Sequence, residues 1–218
     1  MEGHNRLPPM ATILRDLSYR YQWLYDVISS MAALSVGGEP RFRQLPLEGI
    51  EITPESRVLD VCCGSGQSTQ YLVQKSHHVT GLDASPRALK RAQHNVPQAE
   101  YVEAFAEAMP FSDNQFDLVH ISAAIHEMEP EQRQQILREV YRVLRPGGVF
   151  TLSDFHAPNH PFYQVGVSLF LLLFETETAW DLIRTDIAQL LKANGFQIKR
   201  QSLYAGNSLQ VIQAEKLG

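Results

Sequence analysis

The chain has 218 residues, 44% hydrophobic and 20% charged, which is typical of one domain with a full hydrophobic core. Its formal net charge of -5 argues against a nucleic-acid partner. Only two cysteines occur, and Cys62 and Cys63 are adjacent, which excludes an ordinary disulfide framework and is typical of a reducing cytoplasm. Neither a signal peptide nor roughly 18 consecutive apolar residues are present, so we expect no stable membrane insertion. We also expect no metal site.

The first predicted elements are helical. Apolar residues at helical spacing from Ile13 to Leu34 predict one or two amphipathic helices, and Gly37-Gly38 ends the pattern. The aromatic residues in this segment have two readings, a packed face or a lid that closes over a bound ligand. In the second reading, Tyr25 is the residue that faces inward.

The next stretch combines a buried strand with a glycine turn. Val58 to Val61 predicts the strand, and Gly64-Ser65-Gly66 predicts a tight turn where the backbone can approach a ligand closely. The third glycine of a dinucleotide fingerprint is missing, because Thr69 stands there. Asp60 would repel a pyrophosphate but attract an ammonium or sulfonium group. These residues therefore favour S-adenosylmethionine.

A second strand, from His78, ends at Asp83. An acid at this position can accept hydrogen bonds from both ribose hydroxyls of a bound nucleoside. The alternative role for such an acid is a helix cap, and Ser85-Pro86 does predict the start of a helix. With the glycine turn at this spacing, we favour the ribose role.

The remaining elements alternate between strands and helices. We predict, in chain order, a helix at Pro86 to Asn95, strands at Glu100 to Glu103 and Phe116 to Ser122, a helix at Glu131 to Leu144 stopped by Arg145-Pro146-Gly147-Gly148, a strand at Val149 to Asp154, an apolar run at Val165 to Phe174, a helix at Thr185 to Asn194, and a hairpin of Phe196 to Tyr204 with Ser208 to Glu215. This alternation predicts an α/β fold with a mainly parallel sheet and ligands at the carboxyl ends of its strands.

Several motifs in this order resemble one family. They are Tyr25-Asp26 before a Gly-Gly-x-x-Arg stretch, the glycine turn with its strand, Gly81-Leu82-Asp83-Ala84-Ser85, Ala106-Glu107-Ala108-Met109-Pro110-Phe111, Phe116-Asp117 and Leu144-Arg145-Pro146-Gly147-Gly148. From about Tyr25 to Phe196 the chain resembles class I S-adenosylmethionine-dependent methyltransferases, and within them the C-methyltransferases of ubiquinone and menaquinone biosynthesis.

The resemblance implies a Rossmann-like, doubly wound, mainly parallel seven-stranded sheet with a C-terminal antiparallel hairpin and an N-terminal helical lid. It implies a single domain over residues 1–218, with a helical cap at 1–50, a cofactor-binding half at 51–155 and substrate-side helices with the closing hairpin at 156–218. A small-molecule acceptor is the implied partner.

The same resemblance implies a set of cofactor contacts. The turn would contact the methionine part, Asp83 the ribose, and Ser122 the region of the sulfonium. The full set is Tyr25, Asp60, Gly64, Ser65, Gly66, Thr69, Asp83, Ala84, Phe105, Ala106, Glu107 and Ser122. Phe105 departs from the family pattern, which has Asp or Asn there, and an aromatic ring cannot accept a hydrogen bond from the adenine amino group.

Two histidines are candidate bases. Methyl transfer is an in-line displacement that needs a base only if the acceptor arrives protonated. His126, just after the fourth predicted strand, is the first candidate, and its alternative is a surface or hydrogen-bonded histidine. His156, after the fifth strand, is the second, and Glu127 is expected to be solvated.

The apolar run at Val165 to Phe174 bears on the acceptor. It predicts either a core helix or an interface, which a homodimer could use, or one wall of a pocket for a lipophilic aromatic molecule such as a quinone precursor. An O- or N-methyltransferase of another small metabolite, and a protein that binds the cofactor without transferring its methyl group, remain alternatives. A nicotinamide enzyme is the least favoured.

Overall fold

The structure is a computed structural model that describes residues 36–159 and 177–218, together with Leu34 and Gln164. The predicted helices before Leu34, the inward-facing role of Tyr25, and the apolar run at Val165 to Phe174 lie outside the described residues. Among the helices that are described, none combines the length and the apolar character that crossing a membrane requires.

Seven strands form one sheet. They are β1 (Arg57–Val61), β2 (His78–Asp83), β3 (Glu100–Glu103), β4 (Phe116–Ser122), β5 (Leu144–Phe155), β6 (Phe196–Tyr204) and β7 (Leu209–Lys216). Their order is β3-β2-β1-β4-β5-β7-β6. β1 to β5 pair in parallel, whereas β7 is antiparallel to β5 and to β6. The predicted α/β class, mainly parallel sheet and C-terminal hairpin are therefore confirmed.

Six α-helices lie in the described residues. They are α1 (Glu39–Gln44), α2 (Thr69–Leu72), α3 (Pro86–Asn95), α4 (Pro130–Val143), α5 (Glu177–Leu182) and α6 (Ile187–Ala193), with 3-10 turns at Leu45–Leu47 and Ile125–Glu127. α3 has its predicted bounds because the Ser85 hydroxyl accepts a hydrogen bond from Ala88 N at its start. α6 is shorter than predicted, because Asp186 caps it by accepting from Gln189 N.

β5 begins earlier than the sequence predicts. The expected stop at Arg145-Pro146-Gly147-Gly148 is part of the strand, since Leu144 already pairs with Phe116 of β4 and regular pairing resumes at Val149. The register shift between these pairs marks a bulge, which absorbs the proline and the glycines. Lys216 donates to the carbonyl oxygen of Leu144 and secures this end of the strand.

The two faces of the sheet are packed differently. On one face, apolar residues of β1, β4 and β5 form the main core with α4 and α6, and the residues concerned include Leu59, Val61, Val119, Ile121, Leu152, Ile136, Leu137 and Leu191. On the other face, a smaller apolar cluster contains Val58 and Leu118. The next residues along that face are polar.

Polar residues cross that second face in register. Asp60 pairs with His120, His120 with Thr151, and Thr151 with Gln213, so the four side chains share one face of adjacent strands. Gln213 donates to the carbonyl oxygens of Pro46 and Glu48, which anchors the 3-10 turn after α1 on this face. The segment that begins with α1 therefore covers the polar row.

Candidate active site

A cavity of about 450 Å³ opens at the carboxyl ends of β1, β2 and β4. Most of the predicted cofactor contacts line it, namely Asp60, Gly64, Ser65, Asp83, Ala84, Phe105, Ala106, Glu107 and Ser122. The cavity lies at the edge of the sheet where parallel strands place their ligands. A larger open cavity, of about 660 Å³, lies between α6 and the β6–β7 hairpin; of the predicted site residues, only His156 lines its described wall.

The two glycines of the turn have different surroundings. Both adopt positive φ angles, +56° at Gly64 and +89° at Gly66. Gly64 lines the cavity, whereas Gly66 is not in the described cavity wall. A Cβ at Gly66 would lie 3.2 Å from Cγ2 of Val96 and 3.6 Å from Cα of Ala92. Gly66 therefore lets the turn pack closely against α3.

Three backbone N–H groups at the turn are used within the protein. Cys63 N donates to the Leu82 carbonyl oxygen at 3.0 Å, and Gly66 N donates to the Cys63 carbonyl oxygen at 3.0 Å. Gly64 N donates to Oδ2 of Asp83 at 2.9 Å. A pyrophosphate site needs free N–H groups at a helix N-terminus, but those of Cys63, Gly64 and Gly66 are engaged and α2 has only 4 residues. The turn fits S-adenosylmethionine better than a dinucleotide.

Asp83 joins the turn to the end of β2. Its Oδ2 accepts from Gly64 N, and its Oδ1 accepts from Ser85 N at 2.9 Å. The hydroxyl of Ser85, not the carboxylate, caps α3. A carboxylate offers about four lone pairs in all, so Asp83 can hold the turn and still accept hydrogen bonds from a ligand in the cavity that it lines.

Asp60 is a buried, titrating group rather than an exposed charge. It is 1% exposed, and its Oδ2 accepts a 2.6 Å hydrogen bond from the Thr69 hydroxyl. Burial raises the pKa of Asp60 to about 7, although the Thr69 bond and the charge of Arg43 act to lower it. Thr69 is fully buried and is not in the described cavity wall. Its position is that of a residue that orients Asp60.

Arg43 is a cavity residue that sequence reasoning missed. It is 4% exposed, follows the predicted glycine break by a few residues, and lines the cavity. Its Nη1 donates to the Ser122 hydroxyl at 3.3 Å, and its Nη2 lies 3.5 Å from Glu39. The charge of Arg43 lowers the pKa of both Asp60 and His120. Its only sequence signal was its closeness to the Gly-Gly-x-x-Arg stretch. Arg91 of α3 also lines the cavity.

Two residues of the cavity wall have left-handed backbones. Cys62 follows β1 with φ +56°, and Ala123 follows β4 with φ +52°. Residues with a Cβ rarely adopt this conformation, which is enriched at ligand-binding sites. Burial raises the pKa of the Cys62 and Cys63 thiols well above their usual range. Both thiols are therefore neutral, which makes them poor nucleophiles and poor metal ligands.

The structure separates the two candidate bases. The His126 ring is 4% exposed, and its Nδ1 lies 2.7 Å from Oδ1 of Asp154. Its chain neighbours Ala124, Glu127 and Met128 line the 450 Å³ cavity. Nδ1 of His156 instead lies 2.9 Å from the Asn207 carbonyl oxygen. His126 is thus adjacent to the cavity wall, whereas His156 faces the larger cavity.

Comparison with known proteins agrees with the fold and the cavity. Residues 58–148 match the family model described as a methyltransferase domain. An uncharacterized methyltransferase of Synechocystis is 56% identical over 205 residues, which are 94% of this chain and 97% of the relative. The fold, the cavity and these matches define a methyltransferase domain. The chain belongs to the class I S-adenosylmethionine-dependent methyltransferases, so the predicted enzyme class and cofactor are confirmed.

More distant relatives share part of the chain or only the fold. A demethylmenaquinone methyltransferase of Renibacterium salmoninarum is 34% identical over 142 residues, 65% of this chain and 58% of that protein. The crystal structure of Burkholderia thailandensis 1,6-didemethyltoxoflavin-N1-methyltransferase, solved with 1,6-didemethyltoxoflavin and S-adenosylhomocysteine, has a TM-score of 0.65 at 21% identity. That comparison covers 100% of this chain and 94% of that one.

Proposed function

We propose that this methyltransferase acts on a small, lipophilic aromatic acceptor that resembles a quinone precursor. The observation that carries the proposal is the similarity to demethylmenaquinone methyltransferases. A Listeria welshimeri member is 33% identical over 145 residues, which are 63% of this chain and 60% of that protein. Because the match covers only part of those enzymes, the acceptor itself must be tested.

We propose a position in the cavity for each part of the cofactor. We assign the methionine part to Gly64 and Ser65, the ribose to Asp83 beside Ala84, and the adenine to the neighbourhood of Phe105, Ala106 and Glu107. S-adenosylmethionine supplies an electrophilic methyl group, for which Ser122 is the nearest predicted contact. Gly66 and Thr69 act from behind the wall, through packing and through Asp60. The role of Tyr25 stays a prediction.

The wall beyond Ser122 supports an apolar acceptor. Ala123, Ala124 and Met128 line the cavity there. Small side chains next to a methionine give this part of the wall an apolar, adaptable character that suits an aromatic ring. A ring held against this wall, close to the methyl donor, would gain most of its rate from orientation.

A second candidate is an O- or N-methyltransferase of another small metabolite. Glu127 and Gln132 line the same end of the cavity, and Gln132 Nε2 donates to Oε1 of Glu107 at 2.8 Å. These groups could orient a polar acceptor through a hydroxyl or an amine. A protein that binds the cofactor without transferring its methyl group is the third candidate.

An acceptor panel with methyl-labelled S-adenosylmethionine tests these candidates. The panel contains a reduced 2-prenyl-1,4-naphthoquinone with an open ring carbon, a catechol and a small aliphatic amine. The Asp83→Ala variant gives the background for each acceptor. We expect label on the prenylated ring, located by mass spectrometry. Label on only the polar acceptors would support the second candidate. Calorimetric binding of the cofactor with no labelled product would support the third.

Three further expectations stay predictions. These are a cytoplasmic location, a homodimer, and the division into a cap at 1–50, a cofactor half at 51–155 and a substrate side at 156–218. Light scattering of the purified protein measures the oligomeric state directly.

A further inference from the structure

The carboxylate of Asp154, near the end of β5, is buried and held on both oxygens. Oδ2 accepts from the backbone N–H groups of Ala124 at 3.1 Å and His126 at 3.3 Å. Oδ1 accepts from Phe155 N at 2.8 Å and faces Nδ1 of His126 at 2.7 Å. Asp154 therefore fixes both the backbone of the 3-10 turn and the ring of its histidine.

This contact determines the protonation pattern of the imidazole. An ionised carboxylate only accepts hydrogen bonds, so the nitrogen that faces it, Nδ1, must carry a proton. In a neutral ring the lone pair is then on Nε2. The His126 ring also packs on Phe155, with centroids 4.6 Å apart, which restricts its rotation. Nε2 thus becomes a basic atom with a fixed direction.

Glu127 connects this histidine to the cavity. Its Oε1 lies 4.0 Å from Nε2 of His126, and its side chain lines the cavity beside Met128. One bridging water, or a small rotation of the partly exposed Glu127 side chain, closes a separation of this size. The expectation from sequence was a solvated Glu127.

We propose that Glu127, His126 and Asp154 form a proton relay that removes the acceptor's proton during methyl transfer. This proposal rests on the proposed function, because it assigns the proton path of that same site. The acceptor's nucleophilic atom bonds to the methyl carbon, and the electron pair of the broken carbon–sulfur bond stays on sulfur. The acceptor's proton passes to the Glu127 carboxylate and then to Nε2 of His126. Asp154 stabilises the imidazolium, which returns the proton to water after the product leaves.

The described charged groups around His126 suit this direction of transfer. They are Glu127 on its own turn, Asp154 on β5, and Glu177 and Asp181 on α5, which packs against the turn. Asp181 is paired with Arg133 of α4. Acidic groups near an imidazole favour its protonated form. Glu127 would touch the acceptor, whereas His126 and Asp154 act through it as positioning residues.

The first experiment needs no acceptor. Long-range ¹H–¹⁵N spectra of the wild-type protein, recorded over a range of pH, should show that the neutral form of the His126 ring carries its proton on Nδ1. A proton on Nε2 alone would overturn the relay even if a methylated acceptor had been found. This measurement also decides the relay if the reduced 2-prenyl-1,4-naphthoquinone is not methylated, so failure of the relay and failure of the proposed function are distinguishable.

The second experiment measures methylation of the reduced 2-prenyl-1,4-naphthoquinone against pH. Glu127→Gln and His126→Gln should each lower kcat by about 100-fold, within the range of general acid–base catalysis. The double variant should be no slower than the slower single variant, because both residues serve one path. Single variants with more than half of the wild-type kcat, or effects that multiply, would overturn the relay.

Asp154→Asn tests the positioning role by a pH shift. The amide keeps the shape but loses the charge and the acceptor lone pairs of one oxygen, so the acid limb of the rate profile should move to lower pH as kcat falls. An acid limb at the wild-type pH in Asp154→Asn would contradict the relay. Loss of the acid limb in His156→Gln would also contradict it. Glu131→Gln, an exposed acid on α4, should leave the profile unchanged. Cofactor affinity by calorimetry should stay within about twofold in every variant, because a structural defect would lower it.

Discussion

Asp60 and His120 are register partners on β1 and β4, and burial moves their pKa values in opposite directions. The pKa of Asp60 rises to about 7, and that of His120 falls to about 3, the latter also through the charge of Arg43. Each residue has a hydroxyl partner, Thr69 for Asp60 and Thr151 for His120. The contributions of these two adjacent buried groups to the free energy of unfolding therefore change with pH in opposite directions.

This opposition predicts how the free energy of unfolding depends on pH. Asp60 binds its proton more tightly in the folded protein than in the unfolded chain. Its contribution to the free energy of unfolding therefore falls as pH rises from about 4 to 7. His120 binds its proton less tightly in the folded protein than in the unfolded chain. Its contribution to the free energy of unfolding therefore rises between about pH 3 and pH 6.5. Each slope reaches about 1.4 kcal/mol per pH unit, and the two largely cancel where they overlap.

Removing either residue should reveal the slope of the other. In Asp60→Asn, urea unfolding between pH 4.5 and 6.5 should show stability that rises with pH. In His120→Gln, stability should fall with pH over the same range. His78→Gln, which changes an exposed histidine, should leave the wild-type curve unchanged. Parallel curves for all the variants would show that the two pKa shifts are much smaller than proposed.

Asp83→Asn should weaken cofactor binding. An amide nitrogen cannot accept the hydrogen bond from Gly64 N or from Ser85 N, so the turn loses one anchor and the ribose one acceptor. We expect Kd for S-adenosylmethionine to rise by about 10- to 100-fold, on the scale of a hydrogen bond to a charged group. Isothermal titration calorimetry measures this change.

Asp117→Asn is the matched control. Asp117 also accepts a backbone hydrogen bond, from Arg57 N at 2.6 Å, but at the opposite end of the sheet. This variant should lose stability without a change in cofactor affinity. Equal effects of the two substitutions on Kd would mean that Asp83 acts only on the fold.

Phe105→Ala should weaken cofactor binding without lowering stability. The ring lines the cavity although it is 69% exposed, so it contributes little to the core and can stack on a bound base. We expect a loss of affinity of about 5- to 10-fold, the size of an aromatic contact, and a stability change within about 0.5 kcal/mol. Leu203→Ala, at an exposed position of β6, should change neither the cofactor affinity nor the stability. An unchanged Kd in Phe105→Ala would exclude stacking at this position.

Gly81→Ala should destabilise the protein by overpacking. A Cβ on Gly81 would lie 2.8 Å from Cε1 of Tyr101 and 2.9 Å from Sγ of Cys63. The Tyr101 ring cannot move easily, because its hydroxyl donates to the carbonyl oxygens of Ala92 and Val96. We expect a loss of about 2 kcal/mol in the free energy of unfolding.

Cys63→Ala provides the test of that explanation. Removing Sγ relieves the clash with one of the two neighbouring side chains, so the double variant should cost less than the sum of the single changes. Urea unfolding of the wild-type protein, the two single variants and the double variant gives the four free energies of this double-mutant cycle. Strict additivity would mean that Gly81 is required for another reason.

The sequence predicted elements whose signals are local. The apolar residues of β1 and β4 and the Ser85-Pro86 start of α3 are readable within a few positions, and the bounds of α3 and β4 matched the structure. The early start of β5 was missed because it depends on pairing with β4 across a bulge. The contacts of Gly66 with Val96 and Ala92, and of Thr69 with Asp60, join residues that the local motif does not bring together.

The chemistry of the site depended on contacts distant in sequence. The burial of Asp60, which raises its pKa, comes from strands and a covering segment that the sequence does not place next to it. The contact between His126 and Asp154 joins residues 28 positions apart, and Arg43 reaches Ser122 across 79. One sequence shows the residue types, but only the folded chain shows which of them meet.

The position of β7 inside the sheet has a consequence for synthesis on the ribosome. β7 is the last of the described strands along the chain, yet it lies between β5 and β6. Until residues 209–216 emerge, β5 presents an open edge and β6 has no partner in the sheet. A nascent chain paused at this point would expose the kind of unpaired strand that promotes aggregation, so a chaperone would protect this protein most before residues 209–216 have emerged.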